Sequence, residues 1–95
     1  MHNVNKLSDT IADGIRSTCF ATCGMTCSTQ INLQTEGDII RRVEIVKGCD
    51  GNTKGLARLC EGRKMEEVIG LLEGIDCKGR GTSCPDQLAR ALKEL

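Results

Sequence analysis

Ninety-five residues with thirteen basic and thirteen acidic side chains make one domain with no net charge. That balance leaves no electrostatic footprint for nucleic acid or for an anionic membrane. A single aromatic residue, Phe20, removes the base-stacking platforms of a single-strand binder and leaves a thin core.

Residues 1–17 read as a peripheral N-terminal extension. Within it Leu7, Ile11 and Ile15 recur at the four-residue spacing of a short helix, with Ser8 or Asp9 as cap. Residues 1–6 lack the apolar stretch of a secretion signal, and no run reaches the length of a membrane span. A cytoplasmic protein is therefore expected.

The domain proper runs over 18–95. Residues 17–22 fit a short first strand. Ile31, Leu33 and Thr35 alternate with Asn32 and Gln34, as a half-buried strand requires. Glu36-Gly37-Asp38 is turn chemistry, and residues 40–46 form a second β-rich run, giving a hairpin. After Gly51 the period lengthens. Leu56, Leu59 and Cys60 form an apolar stripe on a helix opening near Asn52 or Thr53 and closing at Glu61-Gly62. Met65, Val68, Ile69 and Leu72 mark a second helix that stops at Gly74. Thr82 or Ser83, then Pro85 and Asp86, open a third, with Leu88, Ala91, Leu92 and Leu95 on its buried face. Strands followed by helices, without βαβ alternation, specify an α+β fold: a small antiparallel sheet of about three strands, then three helices covering one face.

Seven cysteines are the anomaly: Cys19, Cys23, Cys27, Cys49, Cys60, Cys77 and Cys84. The count is odd and no secretion signal is present, so metal or redox chemistry is expected in place of a disulfide framework. Cys49 and Cys84 immediately precede helices, where unpaired N–H groups and the helix dipole favour thiolate. Cys27 and Cys77 fall in loops, free to turn toward a shared point. Four such thiolates suffice for tetrahedral zinc. Lys47, Lys54, Lys78 and Arg80 are near enough in sequence to offset the resulting negative charge. The gaps of 22, 28 and 7 positions lack paired C-x₂-C knuckles, so spacing alone carries little weight.

The other cysteines have plainer readings. Cys60, on the stripe with Leu56 and Leu59, reads as a small buried hydrophobe, and Cys19 in its strand likewise. Cys23 completes a regular Cys19, Cys23, Cys27 spacing that matches no cluster signature. Gly48, Gly51 and Gly55 are turn and packing glycines, since no Gly-Lys-Ser/Thr follows them. His2, the single histidine, stands too close to the terminus to anchor a catalytic triad.

Thr82-Ser83-Cys84-Pro85-Asp86-Gln87-Leu88-Ala89 resembles the motif that names the TSCPD domain family. Gly24-Met25-Thr26-Cys27-Ser28 resembles that family's first cysteine loop, Lys47-Gly48-Cys49-Asp50-Gly51-Asn52 its second, and Gly74-Ile75-Asp76-Cys77 its third. The likeness covers roughly residues 18–95 and implies Cys27, Cys49, Cys77 and Cys84 as one metal-binding set. It leaves out Cys19, Cys23 and Cys60. Such domains occur as short stand-alone proteins and within B12-dependent ribonucleotide reductases, whose catalytic barrel lies elsewhere. The resemblance thus implies an association with DNA biosynthesis and not an activity of this chain. A fainter likeness is to U-type iron–sulfur cluster scaffold proteins. Here Ser28 stands where those carry Gly-Asp after the first cysteine, and Asp76 where they have a histidine.

The leading expectation is a non-catalytic module in which Cys27, Cys49, Cys77 and Cys84 hold one Zn²⁺, with a ribonucleotide reductase or another protein as partner. The alternatives are an iron–sulfur scaffold using the same residues, and a dithiol relay in which Cys84 attacks and Cys77 resolves. No nucleic-acid or membrane partner is expected.

Overall fold

The chain first reverses at Asp13-Gly14, where both residues take positive φ, 54° and 80°. That pair of left-handed conformations is the two-residue hairpin turn favoured by Asp-Gly. In the computed structural model, which describes residues 3–23, 28–47, 50–75, 79 and 81–95, this turn joins β1 (Asn5–Ala12) to β2 (Ile15–Ala21). β3 (Ser28–Glu36) and β4 (Ile39–Lys47) follow, closed by a second two-residue turn at Gly37-Asp38. The four strands form one antiparallel sheet in the order β1-β2-β3-β4. Register runs Lys6↔Phe20, Cys19↔Asn32 and Leu33↔Val43, with bulges between Lys6 and Ser8 and between Gln34 and Thr35.

Three helices follow: α1 (Asp50–Cys60), α2 (Met65–Leu72) and α3 (Cys84–Lys93). α1 packs on β4 and α2 on α3, while α3 reaches β3. The core between the layers holds Phe20, Ile31, Leu33, Ile40 and Val43 from the sheet. Ala57, Cys60, Val68, Leu88, Ala91 and Leu92 face them from the helices. Each large aliphatic side chain so buried is worth about 1.5–3 kcal/mol, and with one aromatic residue these carry the core. The architecture is α+β, as read from the sequence.

Two features depart from that reading. The sheet has four strands, because the N-terminal segment is strand β1 and not a helix. The four-residue spacing of Leu7, Ile11 and Ile15 is not a helical stripe: Leu7 and Ile11 are exposed, and Ala12 pairs with Ile15 across the turn. Asp13-Gly14 supplied a hairpin signal stronger than the spacing. On α1 the buried stripe is Leu56, Ala57 and Cys60, while Leu59 is 66% exposed. The i, i+1, i+4 set shares a face, and Leu59 stands one helical step off it.

The helices that follow agree with their sequence signals. Val68 is buried on α2, with Met65, Ile69 and Leu72 half-buried beside it. Gly74 after α2 takes φ +86°, the left-handed residue that ends a helix. No helix among the described residues is long and apolar enough to cross a membrane.

Candidate functional site

α3 begins with a buried polar cluster. Ser83 is its N-cap, in extended backbone, and its Oγ accepts from the Asp86 N–H at 3.1 Å. The same hydroxyl donates to the Ile75 carbonyl at 2.6 Å, so one side chain caps α3 and fastens the segment leaving α2. Pro85 stands in the first turn, where its missing N–H costs nothing. Substituting such a cap typically costs about 1 kcal/mol.

Asp86 is 1% exposed, so its carboxylate must be fully engaged. It accepts from Thr82 Oγ1 at 2.5 Å, from the Gly74 N–H at 2.8 Å and from Arg90 Nε at 2.8 Å. Burial pushes the carboxyl's pKa up, but hydrogen bonds from Thr82, Arg90 and Gly74, with the Arg90 charge, outweigh it. The net result is a carboxyl held below its ordinary range. Gln87, fully buried, donates through Nε2 to Thr82 Oγ1 at 3.0 Å. Its Oε1 accepts from the Cys23 N–H at 2.8 Å. Thr82, Ser83, Asp86 and Gln87 therefore form a buried lock that ties α3 to two other chain segments.

Cys84, the first residue of α3, is half-buried in the midst of this lock. The neighbouring strands meet the same end of the molecule. Ser28 pairs with Lys47, and the Thr22 N–H donates to the Thr29 carbonyl at 3.1 Å. Lys47 takes φ +61°, a left-handed turn that a lysine adopts at a cost and that ends β4 next to Gly48-Cys49. The departure points of three segments are thus joined by one path of backbone pairs and hydrogen bonds. It runs Lys47 to Ser28, Thr29 to Thr22, Cys23 to Gln87, Gln87 to Thr82, and Ser83 to Ile75.

Of the four cysteines expected to act together, Cys84 is described, and Cys27, Cys49 and Cys77 lie outside the described residues. Lys78 and Arg80 lie outside them as well. Among the described residues, no group of three or more His, Cys, Asp or Glu side chains is placed to hold a metal. The remaining cysteines are placed. Cys60 is buried in the core, where burial pushes its thiol up to about 11, as a small hydrophobe on a helix stripe should behave. Cys19 is half-buried and alternates with buried Thr18 and Phe20, which puts it on the sheet face away from the helices. It is not the core residue expected. Cys23 is half-buried and is fastened by its backbone to Gln87.

Sequence reasoning placed Asp86 at the helix dipole but missed what it and Gln87 hold. Their partners, Gly74 and Cys23, are 12 and 64 residues away. No local pattern announces such pairs.

The family model of the TSCPD domain matches residues 6–95. The match begins inside β1 and takes in every strand and helix. No curated protein and no solved structure matches the chain.

Proposed function

Because the chain belongs to the TSCPD domain family, we propose that it is a non-catalytic metal-binding module, accessory to ribonucleotide reduction. Cys27, Cys49, Cys77 and Cys84 would hold one zinc ion. One observation supports this reading: a continuous path of backbone pairs and hydrogen bonds links Lys47 and Ser28 to Ser83 and Ile75 by way of the α3 entrance. Each of the four cysteines is one or two residues along the chain from one of these anchors. Consecutive Cα atoms are about 3.8 Å apart, so each thiol is tethered within roughly two such steps of a fixed point.

Four thiols on short tethers are the donor set of a closed structural zinc site. Zinc would supply cross-linking of loops and no redox chemistry. The buried lock of Thr82, Asp86 and Gln87 supports the same reading, since ligands need a supporting shell that fixes their segments.

Metal analysis of protein purified without oxygen tests the proposal. One zinc per chain in a colourless protein is the expected result. A brown, oxygen-sensitive product would favour the iron–sulfur scaffold, and metal-free protein with readily interchanged thiols would favour a dithiol relay. These 95 residues by themselves are expected to reduce no ribonucleotide with or without added cobalamin.

A further inference from the structure

Among the described residues, the β4 edge of the sheet is covered over only part of its length. Residues after α1 pair with its first half: Ile40 N–H donates to the Arg63 carbonyl at 2.9 Å, and Gly62 N–H to the Ile40 carbonyl at 2.7 Å. Ile39 and Lys64 form an antiparallel bridge, and Met65 N–H donates to the Asp38 carbonyl at 2.8 Å. This fifth, partial strand ends there.

Further along β4, the Val43 N–H points away from β3. Among the described residues it meets only the carboxylate of exposed Glu61, at a long 3.4 Å. The two-residue period sends the backbone groups of Ile45 the same way. Beside this bare stretch lies an open groove of about 480 Å³ between β4 and α1. Val43 and Ile45 form one side, Ala57 gives depth on the helix side, and Arg42 and Arg58 flank it. Among the described residues neither arginine makes a hydrogen bond or ion pair, whereas Glu44 is engaged by Asn32 Nδ2 at 2.8 Å. The outer edge of β1 is also unpaired among the described residues, but every residue of β1 is exposed.

The geometry points to this groove as a docking site for an extended, acidic segment of a partner protein, added to β4 as the continuation of the partial fifth strand. Main-chain bonds to Val43 and Ile45 would hold the segment, and its carboxylates would meet Arg42 and Arg58. Glu61 acts as a stopper on the Val43 N–H, a charged guard of the kind that keeps edge strands from pairing indiscriminately. An incoming strand displaces it. A helical partner is disfavoured, because the wall offers backbone donors and acceptors and not a large apolar stripe. The site uses none of the cysteines, so it stands or falls apart from the metal reading.

A blocked eight-residue peptide of alternating valine and glutamate is the probe, titrated into the full chain while backbone amide resonances are followed. Val43 and Ile45 amides are expected to shift and to gain protection from exchange. Arg42→Glu with Arg58→Glu should weaken binding about tenfold, since both exposed charges turn from attractive to repulsive. Glu61→Gln should tighten it, because the stopper loses its charge. Unchanged melting curves of these surface variants would show that the fold is intact. Shifts absent at Val43 and Ile45 at millimolar peptide, or equal binding by the lysine-for-glutamate peptide, would overturn the proposal. So would concentration-dependent protection of the same amides without peptide, which would assign the edge to a second copy of this chain.

Discussion

The backbone N–H of Cys23 donates to the side-chain oxygen of Gln87 at 2.8 Å, joining the end of β2 to the first turn of α3 across 64 residues of sequence. Gln87 is fully buried, and its amide nitrogen is used in turn by Thr82. Both ends of one amide are thereby spent, a requirement for a polar group with no access to water. Gln87→Leu fills a similar volume but leaves the Cys23 N–H without its acceptor. A loss of about 2 kcal/mol in stability is expected, with faster hydrogen exchange at the Cys23 amide. Thermal melts and native-state exchange check the two effects separately.

Asp86 gives the protein an acid-sensitive contact. Its carboxyl is held below the ordinary value, so its contribution is fully present above the unfolded-state value of about 4 and disappears as pH falls through the folded one. Asp86→Asn removes the charge while keeping one acceptor oxygen. The gap in stability between the native protein and this variant is therefore expected to be constant near neutrality and to shrink below about pH 4. Urea melts at a series of pH values measure it. Asp86→Ala, which orphans Thr82, Gly74 and Arg90 together, should cost on the order of 3 kcal/mol at neutral pH.

Cys60 should be chemically silent. With its thiol raised to about 11 by burial, almost none is thiolate at neutral pH. Brief alkylation of the native protein is expected to leave Cys60 unmodified, and unfolding should expose it. Cys60→Ser places a hydroxyl among Leu56, Ala57 and Val68, at a cost of about 1–3 kcal/mol. Mass mapping of the alkylated chain reads the first effect and a thermal melt the second.

The seven cysteines should separate by bound metal. Serine in place of Cys27, Cys49, Cys77 or Cys84 is expected to lower stoichiometry or affinity, since a missing ligand opens the shell to water. Cys19→Ser, Cys23→Ser and Cys60→Ser should retain metal. Metal retained by Cys49→Ser but lost by Cys60→Ser would reverse the assignment. A strong chelator should also lower the melting temperature of the native chain.

Lys47 offers a test of backbone strain beside the site. Its φ of +61° suits glycine, so Lys47→Gly is expected to be neutral or stabilising by up to about 1 kcal/mol. Lys47→Val should destabilise, because a β-branched residue tolerates that conformation worst. Equal melting temperatures for the two variants would remove the argument from strain.

Much of the fold was legible because it is written in local periods. The alternation of Ile31, Leu33 and Thr35 and the stripe of Val68, Ile69 and Leu72 each report one buried face. β1 was missed because Leu7, Ile11 and Ile15 satisfy a helical spacing, whereas the Asp13-Gly14 turn between them decides the structure. Cys60 was legible from Leu56, one helical turn away. The α3 lock was not, since buried Asp86 and Gln87 look in sequence like any solvated helix residues. Only their partners at Gly74 and Cys23 show otherwise. The β4 edge was likewise silent, because a strand's exposed backbone leaves no mark in its side chains.

Because each strand pairs with its neighbour in sequence, the four-stranded sheet needs only short loop closures to assemble. Hairpins of this kind form within microseconds but are marginal until something covers them. The cover is completed by α3, whose Leu88 and Leu92 enter the core and whose Gln87 fastens the far end of β2. Sheet formation is therefore expected to be fast and reversible, and folding to be completed only when α3 docks. Until then the sheet is a rehearsal that can dissolve and re-form without penalty.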